Sequence, residues 1–211
     1  MKQVKICGMK DPENIKQLCK LPIDYIGLIF YPKSKRYIGH IEETILDSIP
    51  TSVKKVGVFV NEKTEEVLHK KKNYKLDYIQ LHGNETVNDC ALYKTNGINV
   101  IKAFSIGKNE DLEQTLAYSP YCDAFIFDTP TPTFGGSGKV FNWNLLNEYQ
   151  GNTPYLLSGG LGIHNIQEAM NIQDNRLIGY DINSQIEQEH YLKNITLATQ
   201  LVQKIKKHEG I

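Results

Sequence analysis

Eight short apolar, β-branched or aromatic runs recur along the chain, starting near residues 3, 24, 53, 77, 98, 123, 154 and 177. They read as continuous stretches, such as Tyr25-Ile26-Gly27-Leu28-Ile29-Phe30 and Val56-Gly57-Val58-Phe59-Val60, without apolar–polar alternation. Strands covered on both faces have this composition. Most runs are followed by a polar loop and then by apolar residues at helical spacing: Ile15, Leu18 and Cys19; Ile41, Ile45 and Ile49; Leu112 and Leu116; Ile166, Ala169 and Met170. The final stripe is the clearest, comprising Tyr191, Ile195, Ala198, Leu201, Val202 and Ile205. Start signals agree, since Asp11-Pro12 supplies an N-cap and a first-turn proline and Asn142 precedes Trp143 in a capping position. Eight strand–helix units at roughly 25-residue spacing predict an α/β protein, a single (β/α)8 TIM barrel of eight parallel strands ringed by helices, over an open doubly wound sheet. No linker interrupts the pattern, so residues 1–211 form one domain.

Composition fits that frame. A chain of 211 residues with 40% hydrophobic content buries one sizeable core. Twenty-four basic and twenty-four acidic residues cancel, which argues against a nucleic-acid partner. Lys70-Lys71-Lys72 and Lys204, Lys206 and Lys207 fall at expected helix ends, where cations suit the helix dipole. No run approaches eighteen apolar residues and no signal region precedes the first strand, so a cytoplasmic protein without a membrane span is expected. Cys7, Cys19, Cys90 and Cys122 form no Cys-x-x-Cys pair and read as reduced thiols. The pattern fits a monomer or a homodimer.

In a parallel barrel the chemistry sits at the carboxyl ends of the strands. Polar residues at those ends are Cys7, Gln80, His82, Lys102, Asp128, Ser158 and Asp181, joined by the loops 31–40, 129–141, 158–164 and 181–190. Cys7 closes the run Val4-Lys5-Ile6 and Asp128 closes Ala124-Phe125-Ile126-Phe127, placing a thiol and a carboxyl on one rim. Ser158-Gly159-Gly160-Leu161-Gly162 after the seventh run can bring backbone N–H groups to a phosphate, and Asp181-Ile182-Asn183-Ser184 after the eighth can supply the other half. Nucleotide fingerprints fail, because Gly135-Gly136-Ser137-Gly138-Lys139 lacks both the leading glycine and the trailing hydroxyl, and Asn165 stands where a dinucleotide turn needs glycine. Residues 129–141 read as a loop able to cover a ligand. His40, His69, His82, His164, His190 and His208 show no metal-ligand spacing, so neither metal nor cofactor is called for. Arg36, one of two arginines, can grip a carboxylate bidentately. An acid and a base of this kind suit proton transfer, of which isomerisation of a sugar phosphate is the simplest case. A phosphate-binding barrel of other specificity, or one that only binds a phosphorylated metabolite, fits the same residues.

The motifs Lys5-Ile6-Cys7-Gly8, Gly27-Leu28-Ile29-Phe30-Tyr31-Pro32-Lys33-Ser34-x-Arg36-Tyr37, Val56-Gly57-Val58-Phe59-Val60-Asn61, Leu81-His82-Gly83, Phe127-Asp128-Thr129, Gly135-Gly136-Ser137-Gly138-Lys139 and Ser158-Gly159-Gly160-Leu161 together resemble phosphoribosylanthranilate isomerase, in that family's order and over nearly the whole chain. The resemblance implies an Amadori rearrangement of N-(5-phosphoribosyl)anthranilate to 1-(o-carboxyphenylamino)-1-deoxyribulose 5-phosphate in tryptophan biosynthesis. It implies Asp128 as general acid and Cys7 as general base, and a small phosphorylated substrate as the partner. The substrate carboxylate would lie at Arg36 and His82, and the phosphate at Gly159, Gly160, Asp181, Asn183 and Ser184. The chain departs from the family in its last unit. Where the family has Asp-x-Ser-Ser-Gly-x-Glu and then Pro-Gly, this chain reads Asp181-Ile182-Asn183-Ser184-Gln185-Ile186-Glu187 and then His190-Tyr191. Lys35 replaces the family's proline, which implies a looser Arg36 loop.

Overall fold

In the computed structural model, which describes residues 1–39, 41–130 and 140–207, eight parallel strands close into a barrel in the order β1 to β8. They are β1 Gln3–Cys7, β2 Tyr25–Ile29, β3 Lys54–Phe59, β4 Tyr78–Leu81, β5 Asn99–Ser105, β6 Ala124–Asp128, β7 Tyr155–Leu157 and β8 Leu177–Ile182. The apolar runs place all eight starts within one residue. The helices are α1 Pro12–Leu18, α2 Glu43–Asp47, α3 Thr64–Asn73, α4 Val87–Thr95, α5 Asn109–Glu113, α6 Ile166–Met170, which follows β7, and α7 Ile195–Lys207. None among the described residues is long and apolar enough to cross a membrane. The Gly135–Lys139 motif, most of the 129–141 loop, His40 and His208 lie outside the described residues.

Side chains alternate between two environments along each strand. Val4 and Ile6 of β1 point outward into the helix-packed core with Ile15 and Leu18 of α1, while Lys5 and Cys7 point into the barrel. Inside, Tyr25, Val56, Ile101, Ala103, Ala124, Ile126 and Leu156 form one apolar layer. Cys7, Ile29 and Val58, with Tyr31 against them, form a smaller layer at the carboxyl end.

A recurring device pins the opposite end. Asp24, Asp77 and Asp123 each stand immediately before β2, β4 and β6, and their carboxylates accept the backbone N–H of Val4 at 2.7 Å, Lys55 at 2.8 Å and Val100 at 2.8 Å on the preceding strand. The repeated Asp-Tyr-Ile at 24–26 and 77–79 is its sequence trace. At α1, Asp11 caps as expected, its side chain accepting from the Asn14 N–H at 2.8 Å.

Three helical expectations need correction. Leu116 falls in a 3-10 segment, Gln114–Tyr121, and is 46% exposed, because three residues per turn rotate it off the Leu112 face. The segment after Asn142, Trp143–Glu148, is also 3-10, with Asn142 accepting from the Asn144 N–H. Tyr191 does not join the last helix stripe. The chain doubles back at His190 (φ 59°) and Tyr191 (φ 61°) so that Glu187 and Lys193 pair as an antiparallel bridge, and α7 starts only at Ile195.

Candidate active site

One cleft at the carboxyl end of the barrel, enclosing about 710 Å³ with its open mouth included, is lined by Cys7, Arg36, His82, Asp128, Gly159, Gly160, Asp181, Asn183 and Ser184, together with Gln80 and Ser158. All but one of the rim residues singled out as site candidates thus meet in one place. Lys102 does not. Its ammonium is buried beside Glu85 at 3.2 Å and donates to the Leu81 and Gly83 carbonyls, where it ties the ends of β4 and β5 together.

Asp128 ends β6 with one oxygen accepting the Thr129 N–H at 2.8 Å and the other 3.6 Å from His82 Nε2. Burial pushes its carboxyl up to about 7, with the Asp181 charge adding to the rise and the Thr129 N–H and Lys5 opposing it. His82 is driven the other way. Loss of solvent and the nearby Lys102 and Lys5 ammonium groups lower it to about 3, so the imidazole is neutral at pH 7 and its approach to Asp128 is no ion pair. Gln80 Nε2 lies 2.8 Å from His82 Nδ1 and donates to it, which leaves the proton on Nε2, facing Asp128. Gly159 has φ 88°, and a Cβ there would fall 2.2 Å from Thr129 Oγ1 and 2.9 Å from Asp128 Oδ1. A side chain at 159 would therefore push the 158–162 loop away from Asp128.

Cys7 ends β1 and is buried. Burial raises its thiol above the ordinary range and Asp181 raises it further, while Lys5 and Lys193 pull it down. Asp181 accepts from the Lys5 ammonium at 2.9 Å, both groups lying inside the barrel. Sequence reading passed over Lys5, although its place two residues before Cys7 puts both on one strand face.

The Arg36 loop is ordered in spite of Lys35. Arg36 N–H donates to Ser34 Oγ at 3.1 Å, Tyr37 N–H to the Ser34 carbonyl at 3.0 Å, and Ile38 N–H to Ile29 at 2.9 Å. The guanidinium donates from Nε and Nη2 to the two Glu187 oxygens, each at 2.6 Å, and Lys193 Nζ donates to the same carboxylate at 2.6 Å and to Asn183 Oδ1 at 2.6 Å. Burial opposes the charge on Glu187, but Arg36 and Lys193 hold it below the usual carboxylate range. Tyr191 places its ring 5.6 Å from the Arg36 guanidinium and 5.2 and 5.9 Å from Lys10 and Lys35. Glu187 and Lys193, 151 and 157 residues from Arg36, leave no local trace of this pairing in the sequence.

A raised carboxyl, a buried thiol and a glycine loop, gathered at the mouth of a parallel barrel, fit an enzyme of the (β/α)8 class. Comparison with known proteins narrows the class. The family model for N-(5'-phosphoribosyl)anthranilate isomerase matches residues 4–204. The isomerase of that name from Parabacteroides distasonis is 45% identical over 204 residues, covering 96% of this chain and 92% of the relative. A crystal structure of the Thermotoga maritima enzyme superposes with TM-score 0.85 at 33% identity, covering 98% of this chain and 100% of that one. A phosphoribosylanthranilate isomerase bound to reduced 1-(o-carboxyphenylamino)-1-deoxyribulose 5-phosphate superposes with TM-score 0.80 at 30% identity, again over 98% and 100%. The chain belongs to the N-(5'-phosphoribosyl)anthranilate isomerase family and is an aldose–ketose isomerase of tryptophan biosynthesis.

Proposed function

We propose that this cleft rearranges N-(5'-phosphoribosyl)anthranilate with Asp128 as general acid and Cys7 as general base. Asp128, half protonated near neutrality, gives its proton to the furanose ring oxygen; the C1–O bond breaks and the anthranilate nitrogen becomes an iminium. Cys7 then takes the proton from C2, the C–H electron pair forms the enolamine, and tautomerisation delivers the ketone. The observation that carries this reading is the meeting in one cleft of a buried thiol with a carboxyl that burial pushes up toward neutrality. Backbone N–H groups at Gly159 and Gly160, with Asn183 and Ser184, suit the phosphate. Asp181 is reassigned: its carboxylate accepts from Lys5, and a second anion there would repel phosphate. The substrate carboxylate goes to Arg36, which has five N–H donors and spends two on Glu187. His82 adds a neutral N–H donor beside Asp128. A reducing compartment such as the cytoplasm keeps the Cys7 thiol available.

The direct test is the fluorescence decay of phosphoribosylanthranilate with purified protein. No decay at any pH between 6 and 9 would overturn the proposal. Arg36→Ala should weaken binding of the carboxyphenylamino product by one to two orders of magnitude, about 1–3 kcal/mol for a charge-assisted pair; equilibrium titration measures it. In Tyr191→Gly, release of a left-handed tyrosine is outweighed by greater chain entropy and the lost ring–cation contact, each about 1 kcal/mol. The net loss of about 1 kcal/mol should lower the melting temperature by about 2–4 °C. KM should rise about two- to fivefold at unchanged kcat, since the ring steadies Arg36.

A further inference from the structure

We propose that Lys5, fixed by Asp181, is the positioning residue that favours the thiolate form of Cys7 against the cost of its burial. The proposal rests on Cys7 being the base. Lys5 has no solvent exposure and stands two residues before Cys7, so both side chains enter the barrel from the same face of β1. Lys5 and Asp181 are register partners on β1 and β8, and the 2.9 Å contact fixes the ammonium across the barrel's closing seam. Gly27, the register partner of Cys7 on β2, leaves the necessary gap. A Cβ at that position would lie 2.6 Å from Cys7 Sγ and 3.1 Å from Lys5 Nζ, so sulfur and ammonium share the space that the glycine leaves empty.

Packing alone gives no reason for these groups. Burying a lysine and a carboxylate costs several kcal/mol per ion before their attraction is counted, and an apolar pair of similar volume would fill the barrel as well or better. The charges that face Cys7 explain the arrangement. Asp181 opposes a thiolate, while Lys5, Lys193 and the more distant Arg36 favour it, with Lys5 the strongest of these. Across the cleft stand Asp128 and the neutral His82. Burial pulls against the Lys5 charge, yet Asp181 and Cys7 together hold it above the usual lysine range, so the ammonium is permanent and serves as a counter-ion, not as a proton donor. Asp181 has two opposed effects: it repels a thiolate, and it keeps Lys5 in place.

The test follows carboxamidomethylation of Cys7 by iodoacetamide against pH, resolved from the other three cysteines by peptide mass spectrometry, in the full folded chain. In Lys5→Met the alkylation midpoint should rise by at least about one pH unit, because an opposite charge within 4–6 Å shifts a titration by about 1–3 units. Its kcat at pH 7 should fall at least tenfold, with KM changed less than threefold. Asp181→Asn removes both a repelling charge and the anchor of Lys5, so it serves as the reference for a Lys5→Met/Asp181→Asn double variant, which buries no unpaired charge. The midpoint of the double variant should lie above that of Asp181→Asn. A merely structural pair would leave the two equal. An unmoved midpoint in folded Lys5→Met overturns the proposal; should Lys5→Met fail to fold, equal midpoints in the double variant and Asp181→Asn overturn it. The alkylation result is independent of turnover, so a Cys7→Ser variant that kept its activity would refute the base assignment and leave the Lys5 effect measurable.

Discussion

Cys7→Ser is expected to lower kcat by about three orders of magnitude, within the 10²–10⁴ range that a positioned general base contributes. A serine hydroxyl at the end of β1 fits the space but cannot ionise there. Product affinity should change by no more than about threefold, because Arg36 and the glycine loop grip the two ends of the molecule and the sulfur grips neither. Steady-state fluorescence and product titration measure both quantities, and turnover within tenfold of the parent would remove Cys7 from the mechanism. The pH profile adds a sharper expectation. Asp128 titrates at about 7, while Cys7 sits above its ordinary thiol value, so the acid loses its proton before the base does. The form carrying both a protonated Asp128 and a Cys7 thiolate is then a minor one in the free enzyme. kcat/KM should be bell-shaped, with its acidic limb near 7 belonging to Asp128 and its alkaline limb to the thiol.

Asp128→Asn should lower kcat by about 10²–10⁴-fold, abolish the limb near 7 and leave residual activity that rises into the alkaline range as Cys7 ionises. The same substitution should stabilise the fold, with a definite pH sign. The folded carboxyl titrates at about 7 and the unfolded one near 3.9, so the folded state holds its proton more tightly. The stability associated with that proton is fully present below about pH 3.9 and is lost as pH rises through 7. By pH 8 the buried charge costs the parent up to about 4 kcal/mol, which the neutral amide avoids. Urea unfolding at pH 4 and pH 8 checks this: the variant should match its parent at the lower pH and exceed it at the higher. A stability difference independent of pH would show that Asp128 is not held protonated, and turnover within tenfold would dismiss it as the acid.

The strands were legible because doubly covered β-runs are continuous, and their ends located the rim on which Cys7, Asp128, His82 and Arg36 meet. Helix type was less legible. Leu112 and Leu116 have α-helical spacing, but only the three-dimensional chain shows a 3-10 turn between them. Tyr191 fits the final stripe equally well, and pairing of Glu187 with Lys193 pulls it out. Long-range charge pairing left the least trace: the partners of Arg36 and Lys5 lie 151 and 176 residues away, so Asp181 read as a phosphate ligand when its neighbour is an ammonium. The bonds of Asp24, Asp77 and Asp123 to the preceding strands became meaningful only once the strands were adjacent.

The closing seam has a consequence for how this enzyme comes into being. Lys5 and Cys7 belong to the first strand made, Asp181 and Glu187 to the last part of the chain. During synthesis Lys5 and Cys7 emerge together on one short strand, and only docking of β8 against β1 brings the Asp181 carboxylate to the Lys5 ammonium at 2.9 Å. The charge arrangement around the sulfur is thereby completed last, so a chain truncated before β8 lacks the contact that fixes Lys5 beside Cys7.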